Sequence, residues 1–310
     1  MHPVRSASFV TSRGQREVTK GVLKPALSVR QLLRQYRIVP SKGLGQHFLV
    51  DSRVAGWVVD ALELSGRETV LEIGAGFGAL TQELLARGVQ VIAVERDRRL
   101  GRALWKKFGK RPALQIVRED ALRLDWTALC PRPVVVTGNI PYAITSPLLE
   151  KLAHHVPRVE RAVLTVQREL AERVAAEPGG KAFGALTCFI QCYFKPELLR
   201  EVSAGAFYPP PSIVSAVLRL TAREPPLATP EDLEPMTMVV QALFQRRRKM
   251  VWNGLLNPAL SLTRQEALEL LREVGVDPTV RPETLPVPLW VALGRQWRKR
   301  RAVSAAGDQR

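Results

Sequence analysis

Four consecutive residues, Asn139-Ile140-Pro141-Tyr142, follow the short apolar run Pro133-Val134-Val135-Val136-Thr137, and their types suit one demanding reaction. An exocyclic amine on an aromatic base is a poor nucleophile because its lone pair is delocalised into the ring. The side-chain amide oxygen of Asn139 and the backbone carbonyl of Pro141 could accept the two N–H bonds and localise that lone pair toward an electrophile. Tyr142 offers a face on which the base can stack, and such a pocket works only on a base extruded from its neighbours. The competing reading is an ordinary Asn-x-Pro turn after a strand.

An electrophile needs a carrier, and the residues upstream describe one. Thr69-Val70-Leu71-Glu72-Ile73 reads as a buried strand, followed by Gly74-Ala75-Gly76-Phe77-Gly78 and a helical pattern from Ala79 to Leu85. Gly74, Gly76 and Gly78 are suited to a sharp turn and to close approach of a ligand where a Cβ would collide. The spacing E-x-G-x-G-x-G differs from the dinucleotide fingerprint and looks like the S-adenosylmethionine loop of class I methyltransferases. A tight strand-to-helix turn of any α/β protein is the bland alternative.

Glu95 ends a second strand, Gln90–Val94, where doubly wound folds place a carboxylate that accepts both ribose hydroxyls of a nucleotide. Asp120 follows a third strand, Leu114–Val117, and could accept from an adenine amino group, or simply cap the next turn. Each strand thus delivers a polar residue to its carboxyl end, where open α/β sheets bind ligands.

The elements that must hold these residues can be read in order. Ser28–Tyr36 is a short amphipathic helix. Pro40–Val50 is a loop with two glycines, and Asp51 or Ser52 caps a helix over 54–64 with Val54, Trp57, Val58, Ala61 and Leu62 on one face. Further strands are expected at Arg161–Gln167 and Ile213–Leu220, with Gly205–Pro211 between them as a stiff loop that can be neither strand nor helix interior. Glu224–Pro230 reads as a linker, and helical stretches at Leu233–Phe244, Lys249–Leu256 and Arg264–Val274 suggest a small all-α unit. The expected fold class is therefore α/β, a Rossmann-like class I methyltransferase domain over 31–221 joined through 222–230 to a helical domain over 231–294. A basic extension, 1–30, and a basic tail, 295–310, lie outside both.

The net charge of +17 points to a polyanionic partner. Each terminal segment carries six Lys or Arg against one acid, so +10 of the charge lies at the ends and +7 on 31–294. Arg246-Arg247-Arg248-Lys249 is a candidate RNA contact beside a helix, or else a solvated face. With no apolar run near 18 residues, no membrane span is expected. Cys130, Cys188 and Cys192 form no Cys-x-x-Cys pair, and with four histidines neither a disulfide framework nor a metal site is supported; a reducing cytoplasm fits. Cys188 and Cys192 read as core residues on one helix, His154-His155 as a helix end, and residues 1–30 as a disordered extension or, as a lesser alternative, an organellar transit peptide.

Glu72–Gly78 with Asn139–Tyr142 resembles class I methyltransferases acting on adenine amino groups. Lys42–Leu49, Ala206–Pro211 and Phe244–Lys249 narrow the resemblance to the small-subunit (16S) rRNA adenine N6-dimethyltransferases, the KsgA family, over about Ser28 to Leu293. The resemblance implies S-adenosylmethionine contacts at His47, Leu49, Gly74, Glu95, Asp120 and Asn139, and target-adenine contacts at Asn139, the Pro141 carbonyl and Tyr142, with Phe207 stacking on the other side. It implies a monomer that dimethylates two adjacent adenosines in the 3′-terminal hairpin of small-subunit rRNA on an assembling particle. Two departures from the family pattern stand out: His47 where Asn is usual, expected here as a neutral imidazole, and Ala75 where Pro is usual. The remaining alternatives are a large-subunit methyltransferase of the erythromycin-resistance type and a non-catalytic RNA-binding assembly or transcription factor on the same scaffold.

Overall fold

The computed structural model describes residues 27–41, 45–130, 132–155 and 158–307, with side chains to 302. Residues 1–26 of the basic extension and Lys42-Gly43-Leu44 of the glycine loop lie outside the described residues. In chain order the elements are Val29–Gln35 (α1), Phe48–Leu49 (β1), Ser52–Asp60 (α2), Thr69–Ile73 (β2), Ala79–Ala86 (α3), Gln90–Val94 (β3), Arg98–Phe108 (α4), Leu114–Val117 (β4), Trp126–Leu129 (α5), Val134–Asn139 (β5), Thr145–His154 (α6), Val159–Gln167 (β6), Arg168–Val174 (α7), Ala185–Tyr193 (α8), Phe194–Val202 (β7), Phe207–Tyr208 (β8) and Ser215–Ala222 (β9). Four further helices follow: Pro230–Phe244 (α9), Val251–Leu255 (α10), Arg264–Val274 (α11) and Val287–Gly307 (α12).

The main sheet has seven strands in the order β4-β3-β2-β5-β6-β9-β7. The first five run parallel; β9 is antiparallel to β6, and β7 to β9. Both faces are covered, so the strands are apolar at successive positions and period two sorts them between two cores. Leu71, Ile73, Ile92, Val94, Val134 and Val136 face one side with α5, α6 and α8. Val70, Val91, Ala93 and Val135 face the other with α2, α3 and α4. Helix starts follow side-chain chemistry, with Ser28, Asp51, Asp97, Asp125 and Thr263 each accepting a backbone N–H of their own first turn.

Several expectations need correction. Helix α2 closes at Asp60, and its buried residues are Val54, Ala55, Val58 and Val59; Trp57 is 40% exposed beneath the Arg200 guanidinium. Phe207 and Tyr208 form a two-residue strand against β1, because pairing stops before the prolines remove further donors. Strand β7, not anticipated, is an edge strand exposed along most of its length.

The linker is no free spacer. Arg223 N–H donates to the Tyr193 carbonyl, Leu227 N–H to the Cys192 carbonyl, and Ala228 is buried. One continuous core runs from Leu218 and Leu220 of the sheet to Met236, Val239 and Trp290 of the helices. Residues 295–307 are not a tail but the second half of α12. Arg295 pairs with the buried Asp232, Trp297 is buried and donates to the Leu260 carbonyl at 3.0 Å, and Arg300 holds Glu273.

Candidate active site

A cavity of about 410 Å³ opens where β2, β3, β4 and β5 end. Its wall brings together His47, Leu49, Gly74, Gly76, Glu95, Asp120, Asn139, Pro141 and Tyr142, residues up to 95 positions apart in sequence. The glycine loop folds over the sheet because Gly74 N–H donates to the Val94 carbonyl at 2.8 Å. Gly74, Gly76 and Gly78 take φ of +71°, +57° and +78°, a region that side chains with a Cβ rarely adopt. Behind the loop, the Glu72 carboxyl is 1% exposed and tied to Thr81 N–H and the Thr81 hydroxyl, which anchors the start of α3 to β2. Burial among apolar side chains pushes Glu72 up to about 8, against the opposing pull of Thr81.

Glu95 is also buried, and burial raises its carboxyl, while the N–H groups of Asp97 and Gly76 at 2.8 and 2.9 Å pull the other way. A carboxylate offers about four lone-pair sites, so two remain for hydroxyls in the cavity. Asp120 closes the turn that follows it, one of the two roles expected. Its Oδ1 accepts from Leu122 N–H at 2.9 Å, closing the following turn, and its Oδ2 lies 3.3 Å from Arg96 at the cavity wall.

Asn139 is the last residue of β5, and its Nδ2 donates to the His47 carbonyl at 2.6 Å. That bond fixes the carboxamide, leaving Oδ1 as an acceptor. His47 in turn donates Nδ1–H to the Pro209 carbonyl at 2.7 Å, and its ring lies 5.6 Å from that of Tyr142. The Tyr142 hydroxyl bonds Ser215 Oγ at 2.8 Å, so the ring is held by its far end, and burial raises its pKa. Gly45 makes room for this ring: at φ +62°, an added Cβ would meet the Tyr142 Cβ and N at 3.2 Å. The Gln46 side chain and backbone both bond Ser41, closing the ends of the loop that carries Gly45.

Three assignments change. The Pro141 carbonyl already accepts from Ile144 N–H at 3.0 Å and the Thr145 hydroxyl at 3.3 Å, within the turn that starts α6. The Ile140 carbonyl, one residue earlier on the cavity wall, accepts no hydrogen bond among the described residues and is the available partner for Asn139 Oδ1. Gly78 does not line the cavity; a Cβ there would strike Phe108 at 2.5 Å and Leu104 at 2.8 Å, so its glycine serves the packing of α3 on α4. Phe207 is 4% exposed and packs with Leu49, Val163 and Val217, away from the cavity. Alternation along β8 turns Phe207 inward and sends Tyr208 to Phe48 and Phe77. The basic run lies in the turn after α9, and it divides: Arg247 faces Glu283 and the Gly180 carbonyl, whereas Arg246, Arg248 and Lys249 are exposed.

A doubly wound sheet with a glycine loop at its first long strand and an amide-bearing turn at its fourth defines the class I methyltransferase architecture. The chain belongs to the ribosomal RNA adenine dimethylase family, whose model matches residues 41–293. It is 42% identical over 284 residues to a ribosomal RNA small subunit methyltransferase A of Synechococcus sp., covering 87% of this chain and 99% of that one. The structure of a dimethyladenosine transferase from Plasmodium falciparum superposes with a TM-score of 0.73 at 26% identity, over 82% of this chain and 98% of that one. That of the 23S rRNA methyltransferase ErmE gives 0.64 at 28% identity, over 81% and 99%.

Proposed function

We propose that the protein transfers methyl groups from S-adenosylmethionine to N6 of two adjacent adenosines in the 3′-terminal hairpin of small-subunit rRNA, on an assembling particle in the cytoplasm. The observation that carries this reading is the fixed Asn139 carboxamide. With Nδ2 committed to the His47 carbonyl, Oδ1 is an acceptor beside the Ile140 carbonyl, which accepts no hydrogen bond among the described residues. Two acceptors, directed at the two protons of one amino group, localise its lone pair for attack. Tyr142 gives the base a stacking face, and the extruded base is recognised by its edge.

The residues present suit the cofactor. The cavity volume lies in the range of small-molecule sites, the backbone at Gly74 and Gly76 leaves the floor free of side chains, and Glu95 retains lone pairs for ribose hydroxyls. When bound, S-adenosylmethionine supplies the electrophilic methyl group. Asp120 lines the same cavity and would accept from an adenine amino group. No side chain is needed as a base before attack, because the proton leaves once the nitrogen has become cationic.

The large-subunit alternative has the weaker support, with 28% identity to the 23S enzyme against 42% to the small-subunit relative. The test is methyl transfer from labelled S-adenosylmethionine to unmethylated small-subunit particles and, separately, to protein-free large-subunit RNA. Dimethyladenosine on the small-subunit particle alone is expected, and Asn139→Ala should lower the rate by 10²-fold or more while the cofactor still binds. Label on large-subunit RNA alone, or full activity in Asn139→Ala, would overturn the reading.

A further inference from the structure

Between Asp97 and Glu119 the chain carries eight Lys or Arg and no acid, in Arg98, Arg99, Arg102, Lys106, Lys107, Lys110, Arg111 and Arg118. This +8 exceeds the +7 of the whole span 31–294, so the remainder of that span, Arg246–Lys249 included, is close to neutral. Of these eight cations only Arg99 has an ion pair among the described residues, with Asp97. Several arginines elsewhere are matched, as at Arg87, Arg161, Arg219, Arg295 and Arg300. Five of the eight, Arg98, Arg99, Arg102, Lys106 and Lys107, lie on α4 itself, a concentration of charge that is not ordinary surface patterning.

Helix α4 buries Leu100, Ala103, Leu104 and Phe108 and turns Arg98, Arg102, Trp105 and Lys106 outward. Those four share one face at the spacing i, i+4, i+7, i+8. Trp105 is 62% exposed, although solvent exposure of so large an apolar ring is unfavourable. Arg118 lies across the same helix, its Cγ 3.0 Å from the place of a Cβ at Gly101. The helix starts at the cavity rim, where Arg99 and Leu100 line the wall, and a rise of about 1.5 Å per residue puts Trp105 roughly 9 Å further along the axis.

We propose that the outer face of α4 is a second RNA contact, in which Arg98, Arg102, Lys106 and Arg118 hold phosphates and Trp105 stacks on an unpaired base flanking the target. The inference rests on the proposed rRNA substrate. Strand β4 is one edge of the sheet and β7 the other, and α8 beside β7 carries the helical part. The α4 face thus lies beside one edge strand, and the helical part that carries Arg246–Lys249 is joined to the other, so the two would be separate contacts on the RNA.

The test compares wild type, Arg98→Glu/Arg102→Glu/Lys106→Glu, Trp105→Ala and Trp105→Phe in binding a protein-free transcript of the 3′-terminal hairpin across a salt series. The triple reversal should flatten the slope of log affinity against log salt by about 2 to 3 units. Trp105→Ala should weaken binding roughly ten-fold at unchanged slope, and Trp105→Phe should restore most of it. Cofactor affinity should be unchanged in all. Loss of cofactor binding in the reversal would indicate misfolding, and the Arg98→Gln/Arg102→Gln/Lys106→Gln variant then decides by the same slope. Wild-type slope in the charge variants, or a loss confined to intact particles, would overturn the proposal, the latter in favour of an acidic protein surface. Failure of the wild-type chain to methylate the particle would instead overturn the functional reading.

Discussion

Glu72 shows how a single residue outside the chemistry can set the conditions under which the site holds together. Its carboxyl is buried with Thr81 as its partner, and folding moves it from 4.5 to about 8. The folded chain therefore keeps a proton that the unfolded chain releases above 4.5, and stability falls as pH rises between those values, by at most about 1.4 kcal/mol per pH unit. Below 4.5 both states are protonated, and above about 8 both are ionised, so the dependence is confined to that window. Glu72→Gln keeps an acceptor for Thr81 N–H and a donor for its hydroxyl without carrying the charge. In thermal melts without cofactor, the variant should match wild type near pH 5 and exceed it increasingly toward pH 8.5. Parallel melting curves would show that Glu72 is ionised in the fold. The same scale shows what the sequence could and could not disclose. Glu95, Asp120 and Asn139 were legible because each stands at or just past the carboxyl end of a parallel strand, where an α/β sheet binds its ligands. The occupied Pro141 carbonyl and the inward turn of Phe207 were not, because both depend on hydrogen bonds and strand pairing made after the chain folds.

At the scale of elements, the four strands that carry the glycine loop, Glu95, Asp120 and Asn139 matched expectation closely, since parallel strands inside an α/β sheet read as near-continuous apolar runs rich in Val, Ile and Leu. Strand β7 was missed for the converse reason: an exposed edge strand containing Pro196 shows no alternation. The end of α12 was misread because composition sees only Arg298, Lys299, Arg300 and Arg301, whereas packing turns on Gly294, Arg295 and Trp297. An added Cβ at Gly294 would come within 2.6 Å of the Met236 backbone N and 2.7 Å of its Cα, so α12 crosses α9 at a point only glycine allows. Gly294→Ala should destabilise the protein by about 1–3 kcal/mol, against the usual gain of replacing a helical glycine. Arg295→Ala should cost about 1–2 kcal/mol, with Arg298 and Thr229 remaining near Asp232. Chemical denaturation measures both; unchanged midpoints would mean that residues beyond 294 are dispensable to the fold.

Across the whole molecule, charge and shape point the same way. The cavity spans the ends of β4, β3, β2 and β5, α4 packs beside the edge strand β4, and the helical part is joined through α8 to the other edge strand, β7. Such a distribution suits a substrate larger than the cavity, held by its backbone on both sides while one base enters. The second grip can be tested apart from the first because the basic run is not uniform. Arg247 is engaged with Glu283 and Gly180, so reversing it would disturb the fold, whereas Arg246, Arg248 and Lys249 are exposed and can be changed without loss of a packed contact. Arg246→Glu/Arg248→Glu/Lys249→Glu should weaken binding to small-subunit RNA and reduce the salt slope by up to about 2–3 units. Affinity for S-adenosylmethionine, proposed to bind at the ends of β2, β3 and β5, should remain as in wild type. Equal loss of RNA and cofactor binding would mark a folding defect, and an unchanged slope would leave the turn as a solvated surface and place the polyanion contact on α4 alone.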